Sequence, residues 1–102
     1  MSGRVAAALA DAARHAAGED PDPAVLAAAP LLEGWNITAI SESQFVLEGV
    51  VTGHPRLPDG HLISTSVIVS LAHDDRWART VSRYYRLGRP LFSRGHACDR
   101  PN

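Results

Sequence analysis

Asp75-Arg76-Trp77-Ala78-Arg79-Thr80-Val81-Ser82-Arg83-Tyr84-Tyr85-Arg86-Leu87-Gly88 is the stretch on which the fold turns. As a helix it has Asp75 for a cap, Gly88 for a stop and Pro90 just beyond. Helical spacing also separates Trp77, Val81, Tyr84 and Tyr85 from Arg76, Arg79, Arg83 and Arg86. As a strand it gains from Trp, Thr, Val and two Tyr, types that suit a pleated surface. The polar His73-Asp74-Asp75 then makes a hairpin loop with the segment before it. These residues leave the helix open and favour the strand.

Moving back along the chain, Ile63, Thr65, Val67, Val69 and Leu71 alternate with Ser64, Ser66, Ile68 and Ser70, the clearest strand pattern present. Phe45 to Val51 is rich in β-formers and follows the turn residues Ser41-Glu42-Ser43. Trp35, Ile37 and Ala39 alternate with Asn36 and Thr38 as a first strand. Between the second and third strands, Gly53-His54-Pro55-Arg56-Leu57-Pro58-Asp59-Gly60 marks a long, turn-rich connection. Before the strands the period is helical. Residues 2–17 carry a thin stripe of Val5, Leu9, Ala12, Ala13 and Ala16, with Ser2 as cap and Gly18 as stop. Asp22 followed by Pro23 starts a second, short helix that ends at Ala29, before Pro30.

This order predicts an α+β fold, two N-terminal helices packed on a roughly four-stranded antiparallel meander sheet. The domain spans 1–88, with helices about 2–29 and strands about 35–88, and 89–102 read as a loose tail. A chain of 102 residues is one domain. Val, Ile, Leu and Phe number 24, enough to build a core. No apolar run approaches the roughly 20 residues that span a bilayer, and Val5 to Ala10 is too short for a signal-peptide core. One cysteine excludes an intramolecular disulfide framework and a multi-cysteine zinc site. A cytoplasmic protein is the expectation.

Charge is the most informative feature. The basic residues are ten Arg and no Lys, and the formal net charge is −1. Residues 1–75 carry a balance of −7 and residues 76–102 a balance of +6. The basic part interleaves Arg76, Arg79, Arg83, Arg86, Arg89 and Arg94 with Trp77, Tyr84, Tyr85 and Phe92. Arg offers a planar, bidentate donor that also stacks on rings. Such a segment suits phosphate or an acidic protein surface. The ten upstream acids are equally available to pair with it inside one molecule.

Signatures of nucleotide-binding loops, zinc proteases and serine hydrolases are absent. His54, Asp59 and His61 share a loop, and His96, Cys98 and Asp99 lie together near the end, yet neither group supplies four ligands at a zinc spacing. His73-Asp74-Asp75 reads as a polar turn rather than an acid/base cluster, and Asn36-Ile37-Thr38 as a sequon without a secretion signal.

Gly53-His54-Pro55, Ile63-Ser64-Thr65-Ser66 and Trp77-Ala78-Arg79-Thr80-x-Ser82-Arg83-x-Tyr85-Arg86-Leu87-Gly88 resemble a group of small, functionally uncharacterised bacterial proteins. The resemblance covers residues 34–90. It implies that the Thr-Ser and Tyr-x-Leu-Gly segments are two arms of a hairpin, which is the main ground for reading 77–87 as strand. It also implies an accessory product of phages or mobile elements, a setting in which anti-CRISPR inhibitors of host defence occur.

The sequence therefore points to a non-enzymatic protein-interaction module, an anti-CRISPR-like inhibitor occluding a host nucleoprotein surface. No catalytic residue, metal site or cofactor is assigned. The partner-binding candidates are Trp77, Arg79, Arg83, Tyr84, Tyr85 and Arg86 with Glu19, Asp20 and Asp22. The alternatives are a nucleic-acid-binding accessory protein using Arg76 to Arg94, and a small metal protein or enzyme centred on His54, Asp59 and His61. Opposite charge on two parts of one chain also permits a homodimer.

Overall fold

Residues 77–87 do not form one continuous strand. In the computed structural model, which describes residues 3–92, the segment bends at Val81-Ser82-Arg83 into two short strands. Thr80 makes the bend. Its amide and its hydroxyl both donate to the Arg83 carbonyl, at 2.9 and 3.0 Å, while its Oγ1 accepts from the Arg83 amide. Ser66 of the neighbouring strand receives the Ser82 amide on its Oγ, and the Val67 carbonyl receives the Val81 amide. A polar turn is thereby sewn onto the sheet.

The elements are α1 (Gly3–Ala16), α2 (Pro23–Ala28), β1 (Leu31–Ala39), β2 (Phe45–Thr52), β3 (His61–Leu71), β4 (Trp77–Thr80) and β5 (Tyr84–Leu87). Each strand pairs antiparallel with the next, and β5 returns to β1, so the sheet is a closed barrel. The expected α+β arrangement, two helices on an open four-stranded meander, is overturned by this closure. Parity explains its geometry. With five strands alternating in direction, the first and last run the same way, and the closing pair must be parallel.

That pair is short but extended by its flanks. Leu31 sits opposite Arg86 and Leu32 opposite Leu87. The Arg86 amide donates to Pro30 O, the Gly88 amide to Leu32 O, the Gly34 amide to Arg89 O and the Leu91 amide to Trp35 O, at 2.7–2.9 Å. The Trp35 indole Nε1–H adds a 3.0 Å bond to Gly88 O. Residues 89–91, which the sequence placed in the tail, take part in this seam. The rest of the tail, 93–102, lies outside the described residues.

Bulges supply the curvature that closure requires. Register slips between Glu33 and Asn36, between Val46 and Glu48, and between Ile68 and Ser70. They also change which side chains point inward. Strict alternation along β3 puts Ile68 on the face away from Ile63 and Leu71, whereas all three pack against the core. Gly49 marks a close approach of backbone and side chain. A Cβ there would lie 2.8 Å from Leu32 Cγ and 3.1 Å from the Glu33 carbonyl oxygen.

The core is Leu32, Trp35, Leu47, Val51, Ala78, Tyr85 and Leu87. Each of the large apolar members contributes about 1.5–3 kcal/mol through burial. The helices lie outside the barrel, with α1 against β3 and β4 and α2 against β5. For α1 the predicted stripe is offset from the real contact. Ala8 is fully buried and Val5, Asp11, Ala12 and His15 are half-buried, while Leu9 is 50% exposed. The small Ala8 lets the helix approach closely, and polar anchors do the rest.

Candidate functional site

Asp11 and His15 hold α1 to the basic segment. Arg79 Nε donates to Asp11 Oδ2 at 2.9 Å, and its Nη1 donates to Thr80 O. The two side chains are only 9% and 17% exposed, so the pair is shielded from solvent. Arg14, one turn along α1, also hydrogen-bonds Asp11. The Arg79 guanidinium carbon lies 5.1 Å from the Tyr84 ring centroid, within cation–π range. His15 faces Glu19 O through Nδ1 at 2.6 Å, which requires the proton on Nδ1; Nε2 then accepts from the Tyr84 hydroxyl at 2.7 Å. Its ring also packs on Trp77, with centroids 4.7 Å apart. Burial, then the Asp11 charge, pushes the Tyr84 phenol above its ordinary value, so the hydroxyl stays a donor.

A groove of about 530 Å³ opens on one side of this junction. Val25, Ala28, Ala29 and Pro30 form one wall, Gly53 and Pro55 of the β2–β3 loop another, and Ser82, Arg83 and Tyr84 the third. Arg83 makes no ion pair among the described residues. His54 sits beside the groove with its ring 6.3 Å from that of Tyr85. Its Nδ1 accepts the Arg56 amide. Burial first, then Arg83 and Arg56, lowers its pKa from 6.5, which favours the neutral ring.

At the C-terminal end of α1, Glu19, Asp20, His15, His73, Asp74 and Trp77 line a second hollow of about 300 Å³. The nine predicted partner-binding residues are thus dispersed. Arg79, Arg83 and Tyr84 line the groove, and Glu19, Asp20 and Trp77 line the hollow. Tyr85 is a core residue, with burial raising its phenol pKa. Arg86 donates through Nε to Ala29 O at 3.0 Å, fastening the end of α2 to β5. Asp22 caps α2, its Oδ1 accepting from the Ala24 amide.

The loop residues weighed for metal have local duties. Asp59 Oδ1 accepts from the Gly53 amide, bracing the β2–β3 loop, and His61 is exposed at the start of β3. Among the described residues, no group of three or more His, Cys, Asp or Glu side chains is placed to hold a metal ion. His96, Cys98, Asp99 and Arg94 lie outside the described residues. No described helix is long and apolar enough to cross a membrane.

Residues 4–95, from the first turns of α1 past the closing seam, match a family described as a family of unknown function, DUF6634. The chain belongs to DUF6634. No curated protein and no solved structure matches it. The DUF6634 match includes both the helix that carries Asp11 and the strands that carry its partner Arg79.

Asp11, Arg14 and His15 are the residues that reading by composition passes over. Their signal is positional. On an Ala-rich helix, three polar side chains at i, i+3 and i+4 share one face, and two of them turn toward the barrel.

Proposed function

We propose that this chain is a non-enzymatic protein-interaction module whose groove beside α2 takes an apolar segment bearing a carboxylate. Arg83 carries the reading. It is a guanidinium with no acid of its own among the described residues, set at the edge of a groove walled by Val25, Ala28, Pro30 and Pro55. Apolar walls with a few placed polar groups are the usual character of a binding cleft, and Arg recognises carboxylate through two parallel N–H bonds.

The charge distribution supports protein over nucleic acid. Phosphate binding draws on several free cations at once. Here Arg79 is paired with Asp11, Arg76 lies 3.6 Å from Asp74, and Arg86 bonds a carbonyl. An inhibitor that occludes a host nucleoprotein is a special case of this module and places the same demand on Arg83.

The test is a titration of labelled protein with a short apolar peptide ending in Glu, and with its Gln counterpart, followed by amide NMR. Shifts are expected at Val25, Ala28, Ser82, Arg83 and Tyr84 with the Glu peptide. Arg83→Ala is expected to weaken binding roughly 10- to 100-fold, the equivalent of losing one charge-assisted hydrogen bond. Equal binding of both peptides, or no shifts at these positions, overturns the reading.

A further inference from the structure

α2 reads Pro-Ala-Val-Leu-Ala-Ala, without one polar side chain, and none of its residues is buried. Val25 is 44% exposed, and Ala24, Ala27 and Ala28 are exposed as well. A helix apolar on every side belongs in an interior, yet these side chains are left exposed among the described residues. The two ends of α2 carry opposite charge. At its start lies Glu19-Asp20-Pro21-Asp22, exposed at Glu19, Asp20 and Asp22 and stiffened by Pro21 and Pro23. At its finish lies the groove with Arg83.

From this arrangement we infer that the groove's occupant is the Glu19–Asp22 segment of a second copy, in a two-fold dimer built on α2. The inference rests on the groove reading above and names the source of the carboxylate. The six residues of α2 span about 9 Å. The chain cannot place its own acidic segment in its own groove, because α2 separates them and joins one to the other. Two copies of α2 packed antiparallel resolve this. The start of each helix then lies beside the finish of the other, Asp20 of one copy meets Arg83 of the second, and the exposed Ala and Val side chains bury each other. The interface is isologous, so every contact is made twice. The acids are complementary to the cation they meet; among the described residues Asp20 and Arg83 make no ion pair, and Glu19 has only the long Arg14 contact at 3.9 Å.

Sedimentation velocity over a concentration series, on wild type and on Asp20→Arg and Arg83→Glu, tests the inference. Wild type is expected to shift from monomer to dimer, less readily as salt rises, since rim charges are screened. Each variant alone places like charges together twice and is expected to stay monomeric. An equimolar mixture of the two restores both attractive pairs and is expected to give a dimer of one copy each. Circular dichroism melts of the variants separate lost association from lost folding, and recovery in the mixture requires both to be folded. A wild type monomeric at every concentration, a dimer indifferent to either substitution, or two folded variants whose mixture stays monomeric overturns the inference. In any of these cases the Glu-peptide titration still decides the groove reading by itself.

Discussion

Arg79 Nε lies 2.9 Å from Asp11 Oδ2 across a sequence separation of 68 residues. This one contact joins the acidic N-terminal part to the basic C-terminal part within a single molecule. It sets Arg79, which is paired inside the molecule, apart from Arg83, which makes no ion pair among the described residues.

Because Arg79 is shielded from solvent, Asp11→Ala strands a charge. The expected loss is roughly 3 kcal/mol, the lower part of the range for breaking a buried pair. Urea unfolding measures it. Arg79→Met in the Asp11→Ala background removes the stranded charge and is expected to recover part of the loss, so a double-mutant cycle reports the coupling directly.

Two glycines give an internal comparison of rigid against yielding neighbours. A Cβ at Gly49 meets Leu32 and backbone atoms, so Gly49→Ala is expected to cost about 1–3 kcal/mol. The atoms nearest a Cβ at Gly88 are those of the Glu33 carboxylate, which can swing away at the expense of its 3.1 Å bond from the Arg89 amide. Gly88→Ala is therefore expected to cost less than Gly49→Ala. Thermal melts of the two variants check the order.

Thr80 is fully buried, and its hydroxyl closes the turn between β4 and β5. Thr80→Val keeps the shape but leaves the buried polar groups of the turn short of a partner, at a cost of about 1–3 kcal/mol. Hydrogen exchange is expected to quicken first at Ser82 and Arg83, whose amides donate to the Thr80 Oγ1.

The depressed pKa of His54 has a definite sign. The folded protein binds its proton less readily than the unfolded chain does. The stability this represents is complete above the ordinary value of 6.5 and is lost as pH falls through the folded pKa. His54→Asn keeps a side-chain acceptor for the Arg56 amide without the titration. Its melting temperature is expected to fall less than that of wild type between pH 7 and pH 5, in a flat-baseline comparison at constant ionic strength. These pH values are experimental settings of about neutral and about two units more acid, chosen to bracket an unperturbed imidazole.

Local chemistry was readable where neighbours in sequence decide the outcome. Asp22 and Pro23 start α2 because a carboxylate can take the Ala24 amide and proline needs no partner for its missing one. His73-Asp74-Asp75 turns β3 into β4, with Asp75 at φ 61°, a conformation that Asp tolerates better than most residues. The Thr, Val, Trp and Tyr content of 77–87 leaned to strand and left the helix open. What these residues do not encode locally is where the strand breaks, since that depends on the Thr80 hydroxyl reaching Arg83 and on Ser66 waiting across the sheet.

Sequence by itself determined the two helices, the order of the first three hairpins and the division of charge at residue 75. Tertiary structure alone decided that the sheet closes, that Leu32 meets Leu87, that α1 faces inward through Ala8 and Asp11 rather than Leu9, and that Arg79 pairs with Asp11 while Arg83 has no ion pair among the described residues. The reason is physical. Alternation and capping are set by covalent neighbours, whereas closure is the sum of small bends at three bulges, and pairing of charges follows only once that sum has brought distant strands and the helix together.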